Sequence, residues 1–246
     1  MPDTPFTSET IRAAQEWWAL AGVDMAFTDE PNSWLPEADE GTAPAASPVR
    51  AEVQAAPSAP SLGGDPASWP QTLADFDAWW LAEPTLGLGS TAPRPGHRGP
   101  ADAKLMVIVP QPEIEDGETL LSGPQGALLA NVIVAMGLNA DEVRLGTALP
   151  RPSPAADWTA LDHAGLGALT RHHVAQAAPK RLLVLGRNVL PLLGCDPALD
   201  PRQPAACDCN GKKIPLLAAR DPAVLLTSPA ARRSLWQRWL QWNPDA

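Results

Sequence analysis

The stretch "KLMVIVP", residues 104–110, decides the fold class, because it places five apolar residues in a row with no polar alternation. Such a run is typical of a parallel strand whose two faces are both covered by helices. Three further strand-like segments follow, and segments with helical periodicity lie between and after them. The alternation predicts an α/β fold, a three-layer α/β/α sandwich on a four-stranded parallel sheet. The other predicted strands are 142–150, 180–186 and 211–219, and the main helices are 123–138, 159–179 and 229–242.

The sequence before this domain has a different character. Residues 41–70 are rich in Ala, Pro, Ser and Gly, and a segment with so few core-forming residues is expected to stay disordered. The sequence therefore predicts four parts. They are an N-terminal Trp-containing helix in residues 1–40, a disordered linker in 41–70, a second Trp helix with a connector in 71–102, and the α/β domain in 103–246.

The two Trp helices, within 8–21 and 71–82, share an acidic amphipathic pattern with a Trp-Trp pair. One interpretation is that both helices pack their Trp pairs on the main domain. The other is that they form a Trp-rich acidic arm that binds a protein partner.

The charge of the chain is uneven. The net charge is −10, and residues 1–100 carry all of it, with 14 acidic and 4 basic side chains, whereas residues 101–246 hold 14 of each. The C-terminal part can therefore present a basic face, and DNA binding is not excluded. No apolar run is long enough for a membrane span, no secretory signal opens the chain, and three cysteines are typical of a reducing cytoplasm.

Three motifs in order resemble the uracil-DNA glycosylase superfamily, nearest to family 4 and its alphaproteobacterial branch. The likeness covers roughly residues 103–242 and implies a protein of DNA repair or replication. Its motifs are "LLSGPQGALLANVIVAMGL" (120–138), "APKRLLVLGRNVLPLLG" (178–194) and "DPAVLLTSPAARRSLWQRWL" (221–240).

The resemblance implies a pocket for a flipped base at four positions. The water-positioning acid would follow the first strand, where Pro110 and Gln111 stand, and no carboxylate occurs before Glu113. The stacking aromatic falls at Leu121, the base-reading Asn at Thr147, and the family's His at Asp221.

These replacements oppose excision of uracil. A carboxylate at position 221 repels the negative charge that develops on a leaving base, and Leu121 offers no ring for stacking. Two hypotheses follow. In the first, the chain is a DNA glycosylase with altered base specificity, in which Glu113 or Asp221 supplies the catalytic carboxylate. In the second, which we favour, it is a non-catalytic member of the fold that binds nucleic acid or protein. The resemblance implies a precedent in the psi subunit of the clamp loader of the bacterial replicative polymerase, which shares this fold without base excision.

Basic side chains near the closing helix are candidate phosphate ligands, namely Arg220, Arg232 and Arg233. We expect no cofactor and no metal site. The iron–sulfur cluster that family 4 implies needs four cysteines, and this chain has three. A zinc site at Cys195, Cys207 and Cys209, or a metal shared by His172 and His173, is the less favoured alternative.

Overall fold

The computed structural model describes residues 8–20, 61–87, 93–196, 205–209 and 211–242. The chain divides into two units, Met1–Gln54 and Ala55–Ala246. In the first unit, helix α1 spans Ser8–Leu20, as the sequence predicts, and its Trp17 and Trp18 side chains are exposed. Residues 41–60 of the predicted linker lie outside the described residues.

The second unit is built on a five-stranded sheet of order β2-β1-β3-β5-β4. The strands are β1 (Leu105–Val109), β2 (Val143–Thr147), β3 (Leu182–Leu185), β4 (Ala205–Cys209) and β5 (Lys212–Ala219). Four of them are parallel, whereas β4 pairs antiparallel with β5. The α/β class is confirmed, but the prediction of four parallel strands missed β4. That strand includes the charged Asp208 and lies at the edge of the sheet, so it lacks the continuous apolar run of a buried strand.

Seven helices in the described part of the second unit accompany the sheet. They are α2 (Leu73–Ala82), α3 (Pro124–Ala135), α4 (Trp158–His163), α5 (Leu166–Ala177), α6 (Val189–Leu192), α7 (Pro222–Thr227) and α8 (Pro229–Trp242). The single helix predicted over 159–179 is two helices, α4 and α5. They separate at Gly165, whose φ of +104° lies in the left-handed region that glycine adopts at little cost. None of the described helices has the length and apolar character that a membrane crossing requires.

Alternate side chains of each central strand supply two separate cores. In β1, Met106 and Ile108 pack with α2 and α5, whereas Leu105, Val107 and Val109 pack with α3 and α8. Helices therefore cover both faces of the sheet, which explains why the central strands are apolar at every position.

Residues 61–87 belong to this same core. The Leu62 N–H donates to the Ala164 carbonyl at 2.7 Å, and the buried Trp69 ring lies 5.3 Å from that of His172. Phe76 and Trp80 of α2 are also buried, which confirms for this helix the interpretation that its aromatic residues pack on the domain. The predicted boundaries are therefore wrong in two places. Residues 61–70 are not a disordered linker, and the domain does not begin at 103, because a few large side chains bury more apolar surface than average composition suggests.

The outer edge of β2 is covered by the segment that precedes β1. Arg98 and Leu145 exchange two backbone hydrogen bonds, from the Arg98 N–H at 3.1 Å and from the Leu145 N–H at 2.7 Å. Gly99 lies so close to this strand that a Cβ atom there would be 2.2 Å from the Val143 carbonyl oxygen.

Candidate functional site

The carboxyl ends of three neighbouring parallel strands meet at one point. Pro110 follows β1, Gly186 follows β3 and Asp221 follows β5 by two residues. A Cβ atom at Gly186 would lie 2.5 Å from Pro110 Cγ and 3.7 Å from Asp221 Oδ2. Ligands of open α/β sheets commonly bind at this edge, which makes it a candidate functional site.

Asp221 lies at this edge, where the sequence places it, but it has a structural task. Its Oδ1 accepts a hydrogen bond from the Ala223 N–H at 2.9 Å, and it is the N-cap of α7. An Asp N-cap satisfies backbone N–H groups that a new helix leaves without partners. The Asp-Pro step is thus a helix start, with Pro222 at the first helical position, where its missing N–H costs nothing.

Glu113 is not poised to position water. Its buried carboxylate accepts hydrogen bonds from the N–H groups of Gly123 at 3.1 Å, Gln125 at 2.8 Å and Gly126 at 2.9 Å. Both oxygens therefore cap the start of α3, which has no cap from a neighbouring side chain. Asp116 holds the same loop by accepting from the N–H groups of Glu113, Leu121 and Ser122.

The predicted base pocket is largely filled by the protein itself. Pro110 is buried, and the Thr147 hydroxyl, also buried, donates to the Leu149 carbonyl at 2.8 Å. Gln111 Oε1 accepts from the Ser153 N–H at 2.9 Å. Leu121 has only 3% of its surface exposed and packs in the core beside α3, so it presents no face on which a base could stack.

A cavity of about 550 Å³ lies beside this edge, and arginine dominates its charge. It is lined by residues after β3, at the end of β5, and on or next to α6, α7 and α8, namely Arg187, Leu190, Ala218, Ala219, Arg220, Val224, Ser228, Ala230, Ala231, Ser234 and Arg238. Arg187, Arg220 and Arg238 are called the arginine triad below.

Of the three predicted phosphate ligands, only Arg220 lines this cavity. Arg232 instead donates from Nη1 to the carbonyl oxygens of Leu225 at 2.6 Å and Leu226 at 3.0 Å, at the end of α7. Arg233 is exposed and is not among the lining residues. The cavity thus brings Arg220 together with Arg187 and Arg238, and not with Arg232 or Arg233.

The arginine triad concentrates positive charge. Burial lowers the pKa of Arg238, and the like charges of Arg220 and Arg187 lower it further. Within the described ranges, no carboxylate lies within ion-pair distance of any member of the triad. Arg238 is held in place by donating to the carbonyl oxygens of Ala218 and Ser234.

One group of side chains elsewhere resembles a metal site. Among the residues that the structure describes, Asp77, His97 and His173 have ligand atoms within 4.8 Å of one another. However, Arg144 Nη2 lies 2.6 Å from Asp77 Oδ1 and 3.0 Å from His173 Nε2, so a cationic group already occupies the centre of the cluster. The two imidazole rings are also stacked, which directs their in-plane lone pairs side by side instead of towards one ion. The arrangement fits a buried polar network better than a metal centre.

Sequence reasoning missed two members of the triad. Arg187 lies two residues after β3 and Arg220 directly follows β5. These strands are neighbours in a parallel sheet, so the position of both arginines just after a strand was a usable signal. Arg238 gave no such signal, because the face that it occupies on α8 depends on how the helix packs. Comparison with protein-family models and with curated proteins found no match for this chain.

Proposed function

We propose that this chain is a uracil-DNA-glycosylase-like DNA-binding protein of the cytoplasm, active in DNA repair or replication, that does not carry out ordinary uracil excision. The observation that carries the proposal is the arginine triad, which lines one cavity beside the carboxyl edge of the sheet. Clustered arginines without acidic partners favour phosphate groups, and phosphate contacts supply most of the affinity of proteins for DNA.

The loss of excision follows from the structural tasks of the candidate catalytic groups. Glu113 uses both carboxylate oxygens to cap α3, and Asp221 caps α7. A glycosylase needs a group that stabilises charge on the departing base, whereas a carboxylate at position 221 opposes that charge.

The test measures binding and chemistry on the same full-length protein. Fluorescence anisotropy with labelled single-stranded and duplex DNA should show binding that weakens linearly with the logarithm of salt concentration. The same samples, with uracil in the strand, should yield no abasic sites. Absence of salt-dependent binding, or robust excision, would show that the proposal is wrong.

An active glycosylase with altered specificity is the second candidate, and one observation favours it. Only Oδ1 of Asp221 caps α7, while Oδ2 faces Gly186 at the strand edge without a hydrogen-bond partner in the described part of the chain. Asp221→Asn keeps an oxygen for the cap and removes the charge. Excision of any damaged base by the unmodified protein that Asp221→Asn abolishes would establish this candidate.

A protein partner is a further part of the proposal, carried by α1. Its Ile11, Trp17, Trp18 and Leu20 side chains are all more than half exposed. Large apolar side chains exposed together on a helix commonly mark a binding surface, with Trp as a frequent anchor. A Trp17→Ala, Trp18→Ala double variant should keep DNA binding unchanged and lose partner proteins in affinity capture. Retention of the same partners would contradict this role for α1.

A further inference from the structure

We infer that the arginine triad binds a terminal phosphate monoester, either the phosphorylated end of a DNA strand or a free nucleoside monophosphate. This inference rests on the proposed function and names the ligand of that site. It concerns Arg187, Arg220 and Arg238 together with the serine side chains beside them.

The charge of the site argues for a terminal phosphate. Arginine stays protonated in proteins, so the triad brings three positive charges to one cavity without an acidic partner in the described ranges. An internal phosphodiester carries one negative charge, whereas a terminal phosphate carries about −1.5 to −2 near neutral pH and offers three acceptor oxygens. The terminal group therefore offsets more of the repulsion within the triad.

The donors around the cavity match such a ligand. Guanidinium groups form paired hydrogen bonds with phosphate oxygens. Ser228 Oγ accepts from the Ala231 N–H at 3.2 Å, which leaves its hydroxyl hydrogen free to donate. The exposed Ser234, on α8, also lines the cavity. Several donors from different elements thus meet where a multi-oxygen anion would sit.

The size and the apolar lining of the cavity fit a nucleotide that carries the phosphate. The cavity of about 550 Å³ lies within the size range of small-ligand sites and is bounded by α6, the end of β5, α7 and α8. Leu190, Val224 and Ala219 provide an apolar wall for a sugar or base next to the phosphate.

The experiment compares DNA ends on the full-length protein. Labelled single strands of about ten nucleotides, identical except for a 5′-phosphate or a 5′-hydroxyl, are titrated by anisotropy, and deoxyadenosine monophosphate is added as a competitor. We expect the phosphorylated strand to bind about tenfold more tightly. Arg220→Gln should abolish this difference: both strands should bind more weakly, and the phosphorylated strand should lose about tenfold more affinity than the hydroxyl strand. Arg233→Gln is the matched control, because Arg233 is exposed on α8 outside the cavity, and it should keep the preference.

The outcomes separate this inference from the proposed function. Equal binding of the two strands overturns the terminal-phosphate assignment and leaves DNA binding intact. If neither strand binds, the proposed function fails. In that case deoxyadenosine monophosphate tests the inference by itself. It should raise the melting temperature of the unmodified protein and of Arg233→Gln, but not that of Arg220→Gln. Any other result overturns the inference. Competition by the free nucleotide with the affinity of the phosphorylated strand identifies the nucleotide as the source, whereas much weaker competition identifies the strand end.

Arg238→Lys provides a check that does not depend on Arg220. It keeps a positive charge and removes the planar fork that matches phosphate oxygens. We expect the preference for the phosphorylated strand to fall in this variant, with circular dichroism confirming that the fold is retained. An unchanged preference in both Arg220→Gln and Arg238→Lys would overturn the role of the triad.

Discussion

The rings of His97 and His173 are stacked in the core with their centroids 4.0 Å apart, and both side chains are buried. Burial lowers the pKa of His97 and lowers that of His173 well below its usual value, and the charge of Arg144 lowers both further. Asp77 on α2 faces the pair, but its Oδ1 lies 3.5 Å from His97 Nδ1, too far for a good hydrogen bond. Among the described residues, no partner lies within good hydrogen-bond geometry of either ring nitrogen of His97.

We therefore predict that acid destabilises the protein well above the range in which carboxylates titrate. A histidine whose pKa is lowered on folding takes up a proton more readily in the unfolded chain. Its contribution to the free energy of unfolding is complete above the unfolded pKa near 6.5. As the pH falls below that value, the free energy of unfolding decreases by up to about 1.4 kcal/mol per pH unit for each histidine. Urea unfolding at about pH 8 and pH 5 measures this.

His97→Phe should reduce this pH dependence, because it removes one titrating group and fits the aromatic surroundings of Phe76, Trp80 and His173. His163→Gln is the control, since His163 is exposed, and it should leave the profile unchanged. Equal urea midpoints at the two pH values in the unmodified protein would contradict the prediction.

The second prediction concerns α2. Trp80 is 2% exposed and its Nε1 donates to the Pro95 carbonyl at 3.3 Å. Trp80→Ala should lower the free energy of unfolding by about 3–5 kcal/mol, because it leaves a large cavity in the core. Trp17→Ala removes the same side chain from an exposed position of α1 and should change stability by less than about 0.5 kcal/mol. Similar losses of unfolding free energy in the two variants, measured by urea unfolding, would contradict the prediction that Trp80 stabilises the core and Trp17 does not.

The third prediction separates a structural from a catalytic role of Glu113. Glu113→Ala leaves buried N–H groups at the start of α3 without an acceptor, which should cost about 1–3 kcal/mol of stability. Glu115→Ala changes an exposed carboxylate in the same loop and should be nearly neutral. Chemical unfolding checks both variants. Stability equal to that of the unmodified protein in Glu113→Ala would rule out the capping role.

The fourth prediction tests how closely the strand ends approach. Gly186 and Gly194 both have positive φ, of +115° and +73°. A Cβ atom at Gly186 would collide with Pro110 Cγ, whereas none of the surrounding atoms comes within 4 Å of a Cβ atom at Gly194. Gly194→Ala therefore lowers the free energy of unfolding only through the strain of a non-glycine residue at positive φ, by about 1–3 kcal/mol at most. Gly186→Ala should cost clearly more, and equal melting temperatures for the two variants would argue against close contact of the strand ends.

Continuous apolar runs predict the centre of this fold well, because a strand that is covered on both faces needs apolar side chains at every position. The runs at 104–110 and 180–186 correspond to β1 and β3. Two segments escaped prediction for different reasons. The edge strand β4 alternates buried with more exposed residues and so lacks a continuous apolar run. The segment before α2 is ordered by contacts with residues distant in sequence, such as that between Trp69 and His172, which no local pattern records.

The candidate functional site was also predictable only in part. The meeting of Pro110 and Asp221 could be predicted, because carboxyl ends of parallel strands share an edge. The task of Glu113 could not be predicted, since its hydrogen bonds reach residues ten to thirteen positions away and depend on where α3 begins. Arg238 joins Arg187 and Arg220 only through the packing of α8 against the sheet.

The pairing of Arg98 with Leu145 has a consequence for how the molecule avoids self-association. An uncovered outer strand offers a row of unpaired N–H and C=O groups to any other chain with an open strand. Arg98 occupies part of this edge on the β2 side, although it precedes the first strand, and so makes that part unavailable to another chain. A fragment that starts at residue 103 would uncover this edge as well as the aromatic core beneath α2. Such a fragment should form oligomers that pair through this edge of the sheet. A fragment that starts near residue 61 retains the pairing of Arg98 with Leu145 and should not.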